Sequence, residues 1–211
     1  VVILIGVFVL VDNVFDQDLV GLAAGLGIGG VAIALASKES LENLLGSFTI
    51  FLDQPFTVGD RVKVGNVDGF VEKVGFRSTR IRTLDKSFVT VPNKNMVNVE
   101  LDNLSLRTFR REEFYVGLTY ETSAKQIKAI VKDIQELIDN HEQTTQEGQV
   151  RFMEFGASSL DIMVLYYVDT TKWTTFINVK QDINYKVMDI VKKHGSDFAF
   201  PSTSVYLHKN Q

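Results

Sequence analysis

Between Asp18 and Lys38 lie nineteen residues without a charge, LVGLAAGLGIGGVAIALAS, and ten of them are Gly or Ala. As a helix rising about 1.5 Å per residue this stretch reaches roughly 28 Å, the thickness of a bilayer core. Gly costs about 1 kcal/mol against Ala inside a helix, so a helix in water gains nothing from so many. In lipid the balance differs, because helices associate by close backbone approach through small residues. Gly21, Gly25 and Gly29 recur every four residues, and Ala32 and Ala36 repeat the spacing. The segment is therefore expected to be a membrane helix that packs tightly on other helices.

A buried helix of a soluble core and a simple dimerising anchor are the plainer readings. Against the first, nothing else in the chain is apolar enough to wrap it. Against the second, small residues are not confined to one ridge, since Ala23, Ala24, Gly27, Gly30 and Ala34 lie on other faces. Small residues on several sides suit neighbours on both flanks, as in a ring. The large residues Ile28, Val31 and Leu35 stand at i, i+3 and i+7, one helical face that would line the lumen of such a ring.

The segment VVILIGVFVLV at 1–11 is about half a spanning length and is expected to be the tail of an earlier transmembrane helix. The connecting DNVFDQD at 12–18 has no Lys or Arg, whereas Lys38, Arg61, Lys63 and many more bases follow the second helix. The positive-inside rule then places the loop outside and everything after Lys38 in the cytoplasm. From Pro55 to Arg111 eleven Lys or Arg face six Asp or Glu, and from Glu112 onward ten face fourteen. The basic part suits either anionic headgroups or a solvated face.

After the polar interruption Ser37-Lys38-Glu39-Ser40, the residues Leu41, Leu44, Leu45, Phe48 and Phe51 form an apolar stripe. The spacing predicts a separate amphipathic helix with Ser40 as N-cap, ended by Pro55. Short β runs follow, RVKV, FVEKV, TRIRT and FVTV, divided by turns at Gly65-Asn66, Asp68-Gly69, Asp85-Lys86 and Pro92-Asn93. They predict a small barrel or sandwich. The remainder reads strand (EFYVGLTY), helix (Ser123–Asn140), strand (VRFMEFG), strand (LDIMVLYYV), helix (Thr174–Lys193) and strand (SVYLHK). That order is the ferredoxin-like split βαβ.

No catalytic constellation is visible and no cofactor is expected. The chain has no Cys, and His141, His194 and His208 sit in polar surroundings without ligand spacing, as surface residues do. Gly27-x-Gly29-Gly30 lies inside the apolar helix and is no dinucleotide fingerprint. A membrane-tethered Sm-like nucleic-acid binder is the alternative class, opposed by the lack of an aromatic run beside the bases. A non-conducting scaffold is a third.

Taken together, several motifs resemble the small-conductance mechanosensitive channel family (MscS-type). They are the Gly/Ala helix, Ser40-Leu41-x-Asn43-Leu44, Pro55-Phe56-x-Val58-Gly59-Asp60 and Gly69-x-Val71-Glu72. Arg82-Thr83-x-Asp85, Val91-Pro92-Asn93, Gly156-Ala157-Ser158-Ser159 and Phe200-Pro201 complete the set, in family order and spacing. The resemblance implies a homoheptamer in contact with membrane lipids, passing ions, binding no nucleic acid, and opened by membrane tension. Such a channel releases ions and small osmolytes on hypoosmotic shock from the inner (cytoplasmic) membrane of a bacterium, as a multi-pass protein.

By the same resemblance the chain divides into 1–11, the tail of a preceding transmembrane helix, and 12–18, an extracytoplasmic loop. Residues 19–37 are then the pore-lining helix, and 40–53 an interfacial amphipathic helix. A cytoplasmic Sm-like or SH3-like β domain at 54–106 and a cytoplasmic ferredoxin-like α/β domain at 107–211 follow. The family's two gate positions fall on Val31 and Leu35, with Ile28 above them on the same stripe. Gly21, Gly25, Gly29, Gly30, Ala32, Ala34 and Ala36 are the helix-packing residues. The bend falls at Ser37, Lys38 and Glu39, although Glu39 stands where many members have Gly. Asp85-Lys86 likewise lacks the Gly that often follows the Asp.

Overall fold

The computed structural model describes residues 19–203 together with Ile3, Gly6, Val7 and Val9; the side chains at 19, 20, 22 and 23 are not among those described. Four residues of the expected 1–11 helix are thus described, all helical, while the 12–18 loop and the final strand SVYLHK lie outside the described residues. The chain forms two compact units, 1–105 and 106–211.

The first unit begins with one long helix, α1 (Leu19–Asp53), which runs without interruption through Ser37–Ser40. This corrects the expected separation into two helices. No Gly or Pro stands at the junction to break the ladder. Lys38 and Glu42 face each other one turn apart at 3.8 Å, and Asn43 Nδ2 donates to the Glu39 carbonyl at 2.9 Å. Polar residues there mark an exposed stretch of helix surface, and Ser40 is a mid-helix residue rather than an N-cap. The helix ends where Gln54 turns left-handed (φ 45°), its N–H still bonded to the Ile50 carbonyl at 3.1 Å. Pro55 prevents continuation.

Strands β1 (Arg61–Val64), β2 (Val67–Val74), β3 (Ser78–Thr83), β4 (Phe88–Pro92) and β5 (Leu101–Asn103) follow, with a short helix α2 (Asn93–Asn98) before β5. They make one antiparallel sheet in the order β4-β3-β2-β1-β5. The alternation of the sequence sends Val62, Val64, Val71, Ile81 and Val91 to one face, where Ile50, Phe56 and Met96 complete the core. Gly69 permits the tight β2–β3 crossing, since a Cβ there would lie 2.3 Å from the Arg82 carbonyl oxygen. The Pro55–Asp60 motif has a plain physical basis. Asp60 accepts from the Thr57 N–H at 2.8 Å and from Asn103 Nδ2 at 3.1 Å, which holds its carboxyl below the usual range. At the β3–β4 turn Lys86 takes the left-handed φ of 68° that a Gly would adopt freely. Pro92-Asn93, read from sequence as a turn, starts α2 instead, and six residues are too few for helical periodicity to show.

In the second unit β6 (Arg110–Leu118), β7 (Gln149–Phe155) and β8 (Leu160–Val168) form a sheet in the order β6-β8-β7. Helices α3 (Ala124–Asn140) and α4 (Trp173–Lys193) pack on it. Ser123 caps α3 in a capping box with Gln126, whose amide also reaches the His194 carbonyl at 2.9 Å at the far end of α4. Alternate residues of β8, Leu160 to Val168, are buried against Ile127, Ile130, Ile134, Ile138, Val179, Ile183 and Val187. The order β-α-β-β-α matches the first five elements of the ferredoxin-like fold. Residues 197–199 bond alongside β6, with Ala199 N–H donating to the Gly117 carbonyl at 2.9 Å.

His141 and His194 are half-buried rather than free on the surface. Each is the C-cap of one helix and meets an Asp of the other, His141 with Asp182 at 3.2 Å and His194 with Asp133 at 3.0 Å. Both carboxyls are held below their ordinary value, Asp133 chiefly by Lys193 and Asp182 chiefly by Lys186. His208 lies outside the described residues. Among the described residues no group of His, Asp and Glu is arranged to hold a metal ion.

Candidate pore helix and its joint with the β domain

Helix α1 changes character along its length. From Ala24 to Leu41 every side chain is exposed. A Cβ added at Gly25, Gly27, Gly29 or Gly30 would meet nothing within 4 Å. Ala32, Ala34 and Ala36 are exposed in the same way, as are Gly21, Ser37, Lys38 and Glu39. Ile28, Val31 and Leu35 are 74%, 61% and 69% exposed, and Leu26 and Ile33, on other faces, are 67% and 69%. The fold of one chain therefore leaves the small residues and the large ones equally uncovered, and exposure does not set the Ile28–Val31–Leu35 stripe apart. Among the described residues no helix is long and apolar enough to cross a membrane.

Below Leu41 the helix is fastened to its own β domain. Asn43, Gly46 and Ile50 stand at i, i+3 and i+7 and are all buried. Gly46 lies against the backbone of α2, where a Cβ would come within 2.9 Å of the Asn93 carbonyl carbon. Asn43, 3% exposed, accepts the Lys94 N–H at 3.1 Å. That N–H belongs to the first turn of α2, whose N-cap Pro92 has no side chain to offer it a bond. Asn43 thus caps α2 from a different helix, using its other amide atom on the Glu39 carbonyl.

The chain of polar contacts continues inward. Asn93, fully buried, accepts from Thr79 Oγ1 at 2.9 Å and donates to the Gly75 carbonyl at 2.7 Å. At the outer edge Lys94 Nζ lies 3.0 Å from Glu39 and 3.7 Å from Glu42. Its ammonium is held above the ordinary lysine value, first by the hydrogen bond to Glu39. The lower third of α1 is thus fastened to the β domain through buried polar and small residues.

The apolar stripe Leu41, Leu44, Leu45, Phe48 and Phe51 is not the face that packs on the β domain. All five side chains are exposed, as is Leu52. The buried face is polar and small, so hydrophobic periodicity pointed away from it. Asn43 entered the sequence reading only through a family pattern, and Asn93 through that pattern and a turn signal. The available signal was an Asn and a Gly three residues apart between leucines, at which a core-facing helix would carry apolar residues.

Residues 39–106 match the family described as "Mechanosensitive ion channel, beta-domain", and residues 112–198 match "Mechanosensitive ion channel MscS, C-terminal". An uncharacterized MscS family protein of Aquifex aeolicus is 41% identical over 99% of the chain, which covers 57% of that relative. The small-conductance mechanosensitive channel MscMJ of Methanocaldococcus jannaschii is 38% identical over 99% of the chain and 59% of its own length. The chain thus spans less than two thirds of these relatives. The cryo-EM structure of Arabidopsis thaliana MSL1 shares the fold, with a TM-score of 0.81 at 23% identity over 93% of this chain and 72% of that one.

Proposed function

Because the chain belongs to the MscS family of mechanosensitive ion channels, we propose that it is the pore helix and cytoplasmic portion of a tension-gated ion channel. The observation that carries this reading is the division within α1. An uncharged, Gly- and Ala-rich segment, exposed at every position from Ala24 to Ser37, continues into a part of the same helix fastened to a folded domain at Asn43, Gly46 and Ile50. Other copies of the same helix are the partners that its small faces fit, which makes the protein a homo-oligomer, by resemblance a heptamer.

In such a ring residues 19–37 cross the membrane beside lipid-facing upstream helices, and 40–53 run at its inner surface. The 54–106 and 107–211 parts form a cytoplasmic vestibule. Val31 and Leu35 close the lumen, with Ile28 above them. A narrow ring of Val and Leu side chains sheds its water, and an ion cannot give up its hydration there. Contacts through Gly21, Gly25, Gly29, Gly30, Ala32, Ala34 and Ala36 let neighbouring helices slide without unpacking large side chains. We place the bend of the assembled channel at Ser37, Lys38 and Glu39, within the unbroken α1, where its exposed upper part meets the anchored lower one. Tension favours the open ring because it occupies more membrane area, and opening lets ions and small osmolytes leave after hypoosmotic shock. The nucleic-acid and scaffold alternatives are not favoured, since relatives over the whole chain are named channels. Patch recording of the reconstituted full-length protein tests the reading: suction-evoked unitary currents are expected, and an assembled but silent protein would refute it.

A further inference from the structure

The hairpin between β2 and β3 holds out an aromatic ring and a cation that no other described part of the chain engages. Phe76 is 83% exposed, the most exposed aromatic side chain among the described residues. Its neighbour Arg77 is exposed and makes no side-chain hydrogen bond or ion pair with a described residue. The turn beneath them is held fast. Gly75 N–H donates to the Ser78 carbonyl at 2.9 Å, and the buried Asn93 grips the Gly75 and Arg77 carbonyls at 2.7 and 2.9 Å. The fold thus imposes the exposure of the ring.

The hairpin also climbs α1. Val74 shares a cavity with Ile50 and Phe51, while Arg77 and Ser78 share another, of about 350 Å³, with Ala36 and Glu39. Ala36 is in the last turn of the uncharged segment, so this tip stands where that segment gives way to Lys38. The charges around it sum to a cationic surface, because Lys38, Lys94 and Arg77 outnumber Glu39 and Glu42; Lys94 engages both acids, Lys38 reaches Glu42 only at 3.8 Å and stays 70% exposed, and Arg77 remains over.

We propose that the Phe76-Arg77 tip docks on the anionic lipid surface at the inner face of the membrane. The ring enters the boundary between headgroups and acyl chains, and the guanidinium bonds a lipid phosphate. The inference rests on the membrane-channel reading. It gives the β domain its own contact with lipid, next to the joint that fastens it to α1.

The test uses intrinsic fluorescence, since Trp173 is the single Trp of this chain. Full-length protein carrying Phe76→Trp, with Trp173 and any other Trp replaced by Phe, is reconstituted into phosphatidylglycerol-containing vesicles. Quenching by a headgroup-labelled lipid is expected, together with protection from aqueous iodide. Adding Arg77→Ala should lower the preference for anionic over zwitterionic vesicles about fivefold, the factor one arginine contributes at an anionic surface. Quenching by iodide and not by lipid would overturn the proposal, as would shielding from both, which would mean a protein neighbour covers the tip. An unchanged anionic preference in Arg77→Ala would overturn the phosphate contact. Suction-evoked current from the same vesicles reports on the channel reading separately.

Discussion

The upper and lower parts of α1 use the same device for opposite ends. Gly25 and Gly29 above and Gly46 below all present bare backbone on a helix face. At Gly46 that bareness is filled by the Asn93 backbone of the same chain, while a Cβ at Gly25 or Gly29 would have no described residue within 4 Å beyond the helix's own backbone. Small residues on a helix thus announce close approach without saying whose backbone approaches. The surroundings differ in polarity as well. The lower joint is a set of buried amides whose oxygen and nitrogen each have a partner, whereas the described upper face from Ala24 to Ala36 carries only Gly and apolar side chains. A joint of directed hydrogen bonds fixes one geometry; a bare apolar surface tolerates sliding.

The strongest challenge to this contrast comes from adding bulk to each part. Gly46→Leu should destabilise the first unit by about 3 kcal/mol, because backbone on both sides cannot recede. Gly25→Leu should leave the melting temperature of the two folded units unchanged and impair assembly or raise the opening pressure. Equal loss of domain stability in the two variants would erase the distinction between the halves.

Asn43→Ala comes next. It leaves the Lys94 N–H buried without an acceptor and should cost about 1–3 kcal/mol. Thermal unfolding measures it, and Asn43→Asp should recover part of the loss, since a carboxylate still accepts that bond. A third variant sharpens the point from the opposite side. The Tyr166 hydroxyl is buried in the second unit without a hydrogen-bond partner among the described residues, and burial pushes its phenol pKa up. Tyr166→Phe should therefore stabilise that unit by up to about 1 kcal/mol. Buried polarity would then be costly where it is unpaired and useful where it is paired.

The smallest effect belongs to the outer edge of the joint. Lys94→Met removes the ion pairs to Glu39 and Glu42 and should lower stability slightly, by an amount that high salt abolishes. The sign with pH follows from the direction of the shift. A lysine held above its ordinary value stabilises the fold below that value, and its contribution fades as pH rises past 10.5 through the folded value. A Lys94→Met protein should accordingly lose less stability than wild type on titration through that range.

Much of this molecule was legible in its residues. The runs RVKV and LDIMVLYYV located β1 and β8, and the helix expected over Ser123–Asn140 matches α3, because each rests on local periodicity. The continuity of α1 through Lys38-Glu39 was not legible, since a run of polar residues looks alike whether it ends a helix or faces water. Nor was the joint, which is made of Asn43, Gly46 and Asn93 and contradicts the rule that buried faces are apolar. Its partners lie about fifty residues apart, and only the fold brings them together.

The central claim, that the free upper part of α1 lines and closes a pore, is tested most directly by the current at zero suction in Leu35→Ser beside Leu26→Ser. The two leucines are almost equally exposed in the single chain, so only assembly around a lumen distinguishes them. Leu35→Ser should wet the constriction and leak ions, while Leu26→Ser should stay closed. Closed-state current that is unchanged in Leu35→Ser, or equal in both variants, would contradict the account.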